Sequence, residues 1–280
     1  MKTAKIALLG SNISYSLSPR IFHHPSVQQL FPCHFSLKDL PNLEAWEKFW
    51  KHEAYSYDFL CITTPWKRHV LSLPVATLSP EVASSHIANW VAIEHGTLTA
   101  LNTDYFAFNI WWNHLPQLPT SIYYLGTGAS SLTFLALLKE KMQKNAHYKP
   151  RIFLVTRDLE NAQQSGCYSY LKVSTIDYTQ LYLQNFLHHD LIINGSFYGQ
   201  KEPFPIELVK TFEKTMIWDL NYAYPTPYIS FYQKQGLEFL THQALCFLTH
   251  QKNISADEFK NLSHTLCRSL AQESPTGNPQ

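Results

Sequence analysis

The stretch SIYYLGTGASS, residues 121–131, decides the fold. Ser121–Leu125 is apolar and aromatic and reads as a strand. Gly126 and Gly128 follow at once, and the run Ser130–Lys144 then predicts a helix. Only nine glycines occur in 280 residues. Two of them at one strand exit mark a place where another group approaches the backbone closely. Strand, GxG turn and helix together let backbone N–H groups and a helix N-terminus meet a pyrophosphate. Ser131 stands where the dinucleotide fingerprint has its third glycine. A tight turn with no ligand fits the same residues. The candidate cofactor-binding residues here are Gly126, Thr127, Gly128, Ala129 and Ser130.

Further along, Arg151–Thr156, Leu171–Thr175, Leu191–Asn194 and Thr215–Leu220 read as strands. This half is predicted to be a doubly wound, Rossmann-type nucleotide-binding domain. The second strand of such a sheet ends where an adenosine ribose lies, and here it ends in Thr156-Arg157-Asp158. An arginine suits the 2′-phosphate of NADP, whereas an acid suits the free 2′-hydroxyl of NAD. Thr156 and Arg157 join the cofactor candidates; Asp158 keeps NAD open.

The first half alternates in the same way. Lys5–Leu9, His34–Leu37 and Asp58–Thr63 read as strands, and Pro19–Leu30 and Leu43–His52 as helices. The βαβαβ rhythm predicts a mostly parallel sheet. Asn89–Glu94 and Thr97–Leu101 read as a hairpin turning on Gly96. Leu237–His250 and Ser255–Ala271 read as helices. The chain is thus predicted to be α/β with two domains. One spans residues 1–104, with the helices of 237–280 returning to it; the other spans 105–236.

Composition narrows the function classes. With 22 basic against 21 acidic residues, no broad field favours nucleic acid or an anionic membrane. Cysteines at 33, 61, 167, 246 and 267 form no CxxC pair, which argues against a disulfide scaffold and for a reducing compartment. The apolar run in MKTAKIALLGS is too short for a signal-peptide core and reads as a first strand. No run approaches ~18 apolar residues. A cytoplasmic protein is expected, with a disordered tail, ESPTGNPQ. Fourteen histidines raise metal binding, but there is no HExxH and the pairs 23–24 and 188–189 are adjacent, so no metal site is expected.

Three stretches of the first half carry candidate chemistry. In Ser14-Tyr15-Ser16-Leu17-Ser18-Pro19, Ser18 reads as a helix N-cap with proline at the first helical position, which leaves Ser16 unexplained. In Cys61-Ile62-Thr63-Thr64-Pro65-Trp66-Lys67-Arg68-His69, a strand runs into a proline stop and then a lysine. In Leu101-Asn102-Thr103-Asp104, a strand ends in polar residues before a helix, and Asp104 fits either a cap or a functional acid.

Taken in order, these stretches resemble the shikimate dehydrogenase family. YSLSP resembles the family's HSxSP, CITTPWK its NVTxPxK, and IANW with LNTD its AVNT and NTD. LGTGAS is similar to its GAGG(A/S) loop, and GLEFLTHQA (236–244) to its GLxMLxxQA. Asn194–Gly199 is similar to NATxxG, and Asp219–Tyr222 to DxxY. The likeness covers residues 5 to about 250.

The resemblance implies a substrate domain followed by a Rossmann NADP domain. It also implies reversible reduction of 3-dehydroshikimate by NADPH, in chorismate and aromatic amino acid biosynthesis. Carried over residue by residue, Lys67 and Asp104 form the catalytic pair. Ser16, Ser18, Thr63, Asn89 and Gln243 hold the substrate's carboxylate and hydroxyls. A monomer or homodimer acting on a small molecule is expected.

The chemistry suits these residue types. Reducing a ketone leaves an alkoxide that needs a proton donor within ~3 Å, and a carboxylate keeps a lysine donor in place. The chain departs from the family pattern at Cys61 (Asn in the family), Tyr15 (His), Trp90 (Thr) and Ala129 (Gly). The loop between Tyr222 and Gly236 is also shorter. These changes leave the pair in place and bear on the substrate. Quinate or another cyclohexane acid is the alternative, used with NAD or NADP. A dinucleotide-binding protein with little catalysis is a further one.

Overall fold

A computed structural model describes residues 3–160, 171–196, 215–222 and 230–272. The tail Glu273–Gln280, Cys167, residues 197–199 of the NATxxG-like stretch and residues 223–229 of the shortened loop lie outside them. The chain divides into two compact units. One comprises Met1–Val82, Ala88–Phe106 and Leu237–Gln280. The other comprises Ala83–Ile87 and Ala107–Gly236.

The first unit holds a sheet in the order β2-β1-β3-β5-β6-β4. The strands are β1 (Ala4–Gly10), β2 (Cys33–Asp39), β3 (Phe59–Ile62), β4 (Thr77–Leu78), β5 (Trp90–Glu94) and β6 (Thr97–Leu101). β1 pairs in parallel with β2 and β3, and β4 with β6; the pairings of β5 with β3 and β6 are antiparallel. The β5–β6 hairpin turns at His95 (φ 50°) and Gly96 (φ 79°), a left-handed pair that suits the twist of its strands.

Two aromatic layers cover this sheet. On one face Trp46, Trp50 and Trp66 pack with Leu60, Ile62, Val91 and Ile93. On the other, Trp90 stacks on Phe247 with ring centroids 3.8 Å apart; Phe22 lies against both rings and Phe59 against Phe247. Phe247 belongs to the helix Ser230–Lys252, so this stack fastens that helix to the sheet. The helix Ala256–Gln272 follows it.

The helix expected over Pro19–Leu30 is broken in two, α1 (Ser18–Phe22) and α2 (Pro25–Leu30). Pro25 forces His24 into an extended conformation, with ψ 134°. Ser18 does not cap α1. The cap position falls to Leu17, without a side-chain bond, and Ser18 is the first helical residue.

The second unit holds a five-stranded parallel sheet in the order β11-β10-β7-β8-β9. Its strands are β7 (Ser121–Leu125), β8 (Arg151–Val155), β9 (Val173–Ile176), β10 (Leu191–Asn194) and β11 (Met216–Asp219). Chain order therefore reverses between β7 and β10, the switch point at which doubly wound sheets bind ligands beyond their carboxyl ends. Tyr123, Leu125, Val155, Ile176, Leu181 and Ile192 pack together as a core of this unit. The helix Ala129–Lys144 buries Phe134 against Tyr124 and Trp218. Among the described residues no helix is long and apolar enough to cross a membrane.

Candidate active site

In the first unit β1 and β3 run side by side, so the segments leaving their carboxyl ends start together. Gly10 ends β1, and a side chain there would meet the Thr63 methyl at 2.5 Å. Only glycine lets Thr63 lie over the strand end. The Ser11 N–H donates to the Thr64 carbonyl at 3.1 Å, which ties the two exits. Ser16 follows on the first exit, and its hydroxyl donates to Ser18 Oγ at 3.2 Å. Ser16 and Thr63 are half-buried and Ser18 is buried.

Lys67 lies in a 3-10 helix, Trp66–Ser72. Trp66 anchors that helix: its indole N–H donates to the Leu40 carbonyl at 2.9 Å, and its ring stacks on Trp46. The Lys67 carbonyl accepts from Ala88 N–H at 3.2 Å, and the Asn89 carbonyl accepts from Ile62 N–H at 2.7 Å. The backbone on both sides of Thr63–Lys67 is thereby sewn to the start of β5.

Lys67 Nζ donates to Asp104 Oδ2. The carboxylate side chain is 1% exposed and the lysine 14%. Asp104 sits in the first turn of the helix Thr103–Asn113. Asn89 completes the group. Its Nδ2 donates to Asp104 Oδ1 at 2.7 Å and to Thr103 Oγ1 at 3.0 Å, while its Oδ1 accepts the Thr103 N–H at 2.7 Å. A buried ion pair is tolerable only when its remaining lone pairs are satisfied, and Asn89 does this for Asp104. In this structure the amide is used to orient the acid.

Cys61 belongs to the same neighbourhood. Burial pushes its thiol up to about 12; Lys67 lowers it and Asp104 raises it. The thiol is therefore neutral and within electrostatic reach of both charges. Trp90 pairs with Cys61 across the strands, and its ring is committed to the Phe247 stack. Gln243 is half-buried one helical turn before Phe247, so the two share a helix face.

The sequence pattern gives Asn102 and Thr103 no role of their own beside Asp104, and it does not mark Glu81. Asn102 is fully buried, and its Oδ1 accepts from Tyr105 N–H at 3.4 Å. Glu81 is buried, accepts from the Ser79 hydroxyl, and lies 3.4 Å from Asn102 N. The asparagine and threonine just before Asp104 were the available signal.

In the second unit the GTG turn sits at the switch point. Gly126 has φ 105°, a conformation that excludes ordinary side chains. Open space surrounds the position a side chain would take at Gly128. The helix that begins at Ala129 has no side chain capping it. Backbone N–H groups beside an open glycine fit a pyrophosphate, with Thr127, Ala129 and Ser130 half-buried around them. Thr156 is buried at the end of β8, and its hydroxyl accepts from Asp158 N–H at 3.1 Å. Arg157 and Asp158 are both exposed.

No model of a protein family matches the chain. It is 29% identical over 246 residues to the shikimate dehydrogenase (NADP(+)) of Magnetococcus marinus, covering 81% of this chain and 80% of that protein. It is 25% identical over 221 residues to the enzyme of the same name from Clostridium botulinum, covering 77% of this chain and 81% of that one. The fold matches a chorismate mutase/shikimate 5-dehydrogenase fusion protein from Clostridium acetobutylicum with a TM-score of 0.76 at 21% identity, over 98% of this chain and 99% of the other. It also matches the shikimate 5-dehydrogenase of Thermus thermophilus in complex with NADP(H) and shikimate, with a TM-score of 0.70 at 18% identity, over 94% and 100%. In sequence and in fold, the chain is similar to the shikimate dehydrogenases.

Proposed function

We propose that the protein catalyses the reversible NADPH-dependent reduction of 3-dehydroshikimate to shikimate in the cytoplasm. The observation that carries this reading is the Lys67–Asp104 pair, its carboxylate buried and held by Asn89.

NADPH, when bound, supplies the hydride that reduces the ketone carbon. Gly126, Thr127, Gly128, Ala129 and Ser130 would hold its pyrophosphate, and Thr156 and Arg157 its adenosine end. Lys67 donates a proton from Nζ to the ketone oxygen as negative charge develops there. Asp104 keeps the ammonium in place and stabilises it. Ser16, Ser18, Thr63, Asn89 and Gln243 take the substrate's carboxylate and hydroxyls. Unmatched polar groups in such a site cost about 1–3 kcal/mol each, which excludes substrates lacking those groups. In the reverse direction Lys67, having lost its proton, takes the one from the alcohol.

The test is absorbance at the reduced-nicotinamide band with shikimate and NADP. Turnover is expected; folded protein that turns over shikimate with neither NADP nor NAD would contradict the reading.

A second reading keeps the reaction and changes the substrate. It is favoured by Cys61, whose neutral thiol lies beside the pair where the family pattern has an amide. A thiol is a weak hydrogen-bond partner, so a substrate with different hydroxyl placement, such as quinate, would lose less there. A higher kcat/KM for shikimate than for quinate rejects this second reading.

A further inference from the structure

The carboxyl ends of β10 and β11 carry a buried polar group that the mechanism above does not use. Asn194 and Asp219 are direct neighbours in the sheet register. They are 2% and 3% exposed. Asp219 Oδ1 accepts from Asn194 Nδ2 at 3.1 Å and from Asn221 N–H at 2.9 Å. Asn194 Oδ1 in turn accepts from the Ser196 N–H at 3.2 Å and from its hydroxyl at 2.7 Å. Asn221 Nδ2 donates to the Ser196 carbonyl at 3.4 Å, which closes a ring of four residues.

That ring ends against the GTG turn. A side chain at Gly126 would lie 3.2 Å from the Gly195 carbonyl oxygen and 3.4 Å from Ser196 Cα. Gly195 N–H donates to the Leu125 carbonyl at 3.1 Å. The segment 194–196 and the turn 126–128 are therefore the two walls of the switch point, one from each half of the doubly wound sheet.

We propose that Asp219 is a positioning residue for the dinucleotide site: through Asn194 and Asn221 it sets where Ser196 stands against the Gly126 turn. The proposal rests on the dinucleotide reading of this unit.

An amide has a donor end and an acceptor end and fits its neighbours in only one of two orientations. An ionised carboxylate accepts only. Asp219 therefore forces Asn194 to turn its NH2 towards β11 and its oxygen towards Ser196. Stability alone does not call for a carboxyl here, because well-packed apolar residues commonly replace buried ionic groups without loss. Burial pushes this carboxyl up to about 7, against the lowering effect of bonds from Asn221 and Asn194. That is a cost the fold carries at the place where the walls must be held.

The experiment is calorimetric titration of NADPH at pH 8 into wild type, Asp219→Asn and Asp219→Ala, with the shikimate KM taken at saturating cofactor. Asp219→Asn keeps the shape but lets the Asn194 amide turn over; its Kd for NADPH is expected to rise about fivefold. Asp219→Ala also removes an acceptor, and a rise of at least about tenfold is expected. The shikimate KM stays within about twofold in both, an outcome that general loosening of the fold would not give. If Asp219→Ala does not fold, Asp219→Asn alone decides. Wild-type Kd in the variants overturns the proposal by itself. Failure of the wild-type protein to bind NADPH overturns the dinucleotide reading and this proposal with it.

Discussion

Replacing Asn89 by alanine tests how the Lys67–Asp104 pair is held. The substitution removes two donors and one acceptor from a site where Thr103 and Asp104 are 3% and 1% exposed. Asp104 Oδ1 loses a charge-assisted bond of 2.7 Å, worth about 1.5–3 kcal/mol. The Thr103 N–H loses its 2.7 Å acceptor, and a buried donor left in this way costs about 1–3 kcal/mol. Water entering the vacated space offsets part of this, so a stability loss of about 2–4 kcal/mol in urea denaturation is expected. The catalytic consequence comes through Asp104, which no longer fixes Lys67. If the 1.5–3 kcal/mol appears in the barrier, kcat falls about 10- to 150-fold. The assay is initial rate against shikimate with NADP saturating. The shikimate KM rises too, because Asn89 stands among the proposed substrate contacts, but the fall in kcat identifies the orienting role. Thr103→Val keeps the backbone bond to Asn89 and loses only the hydroxyl, so its kcat is expected to stay within about threefold. An Asn89→Ala enzyme with wild-type kcat and a raised KM alone would refute the reasoning.

Other consequences follow from packing and titration. Phe247→Ala removes the ring stacked at 3.8 Å on Trp90 and is expected to cost about 3–5 kcal/mol, seen as a lower urea midpoint. Gln243 lies one turn away, so the shikimate KM is expected to rise more than the NADPH Kd; the reverse order would count against the placement of Gln243. Asp219, pushed up to about 7 by burial, binds its proton more tightly when folded than when unfolded. Its contribution is then fully present below about pH 4 and is lost as pH rises towards and through 7, at no more than about 1.4 kcal/mol per pH unit. Subtracting the Asp219→Asn stability curve from the wild-type curve isolates this slope. A difference that is flat between pH 5 and 8 excludes the raised carboxyl.

The architecture was legible because its signals are local. A strand exit with two glycines marks β7 and the helix after it, and His95-Gly96 marks the hairpin. Pro25 was an equally local signal. It breaks the Pro19–Leu30 run because the residue before a proline leaves the helical region, and an apolar period drawn across it conceals the break. The two-residue strand β4 is too short to show any period. At the site, Asn89 and Trp90 are adjacent, and neighbours in a strand face opposite ways, so a change at Trp90 need not alter what Asn89 touches. The Trp90–Phe247 stack joins residues far apart in sequence, and no local pattern announces it. The Asp219 ring was hidden for the same reason: the two bonds that close it across the strands span 25 residues and depend on β10 and β11 lying side by side. The ordered stretches had brought Asn194 and Asp219 to notice without saying that they meet.

The most direct test is a pair of measurements on Lys67→Ala beside the wild-type protein: shikimate oxidation with NADP, and NADPH binding by calorimetry. Wild type is predicted to turn over shikimate. Lys67→Ala is predicted to bind NADPH with an unchanged Kd and to lose at least about a hundredfold in kcat, the scale of a removed general acid. Unimpaired turnover in Lys67→Ala would contradict the proposed chemistry.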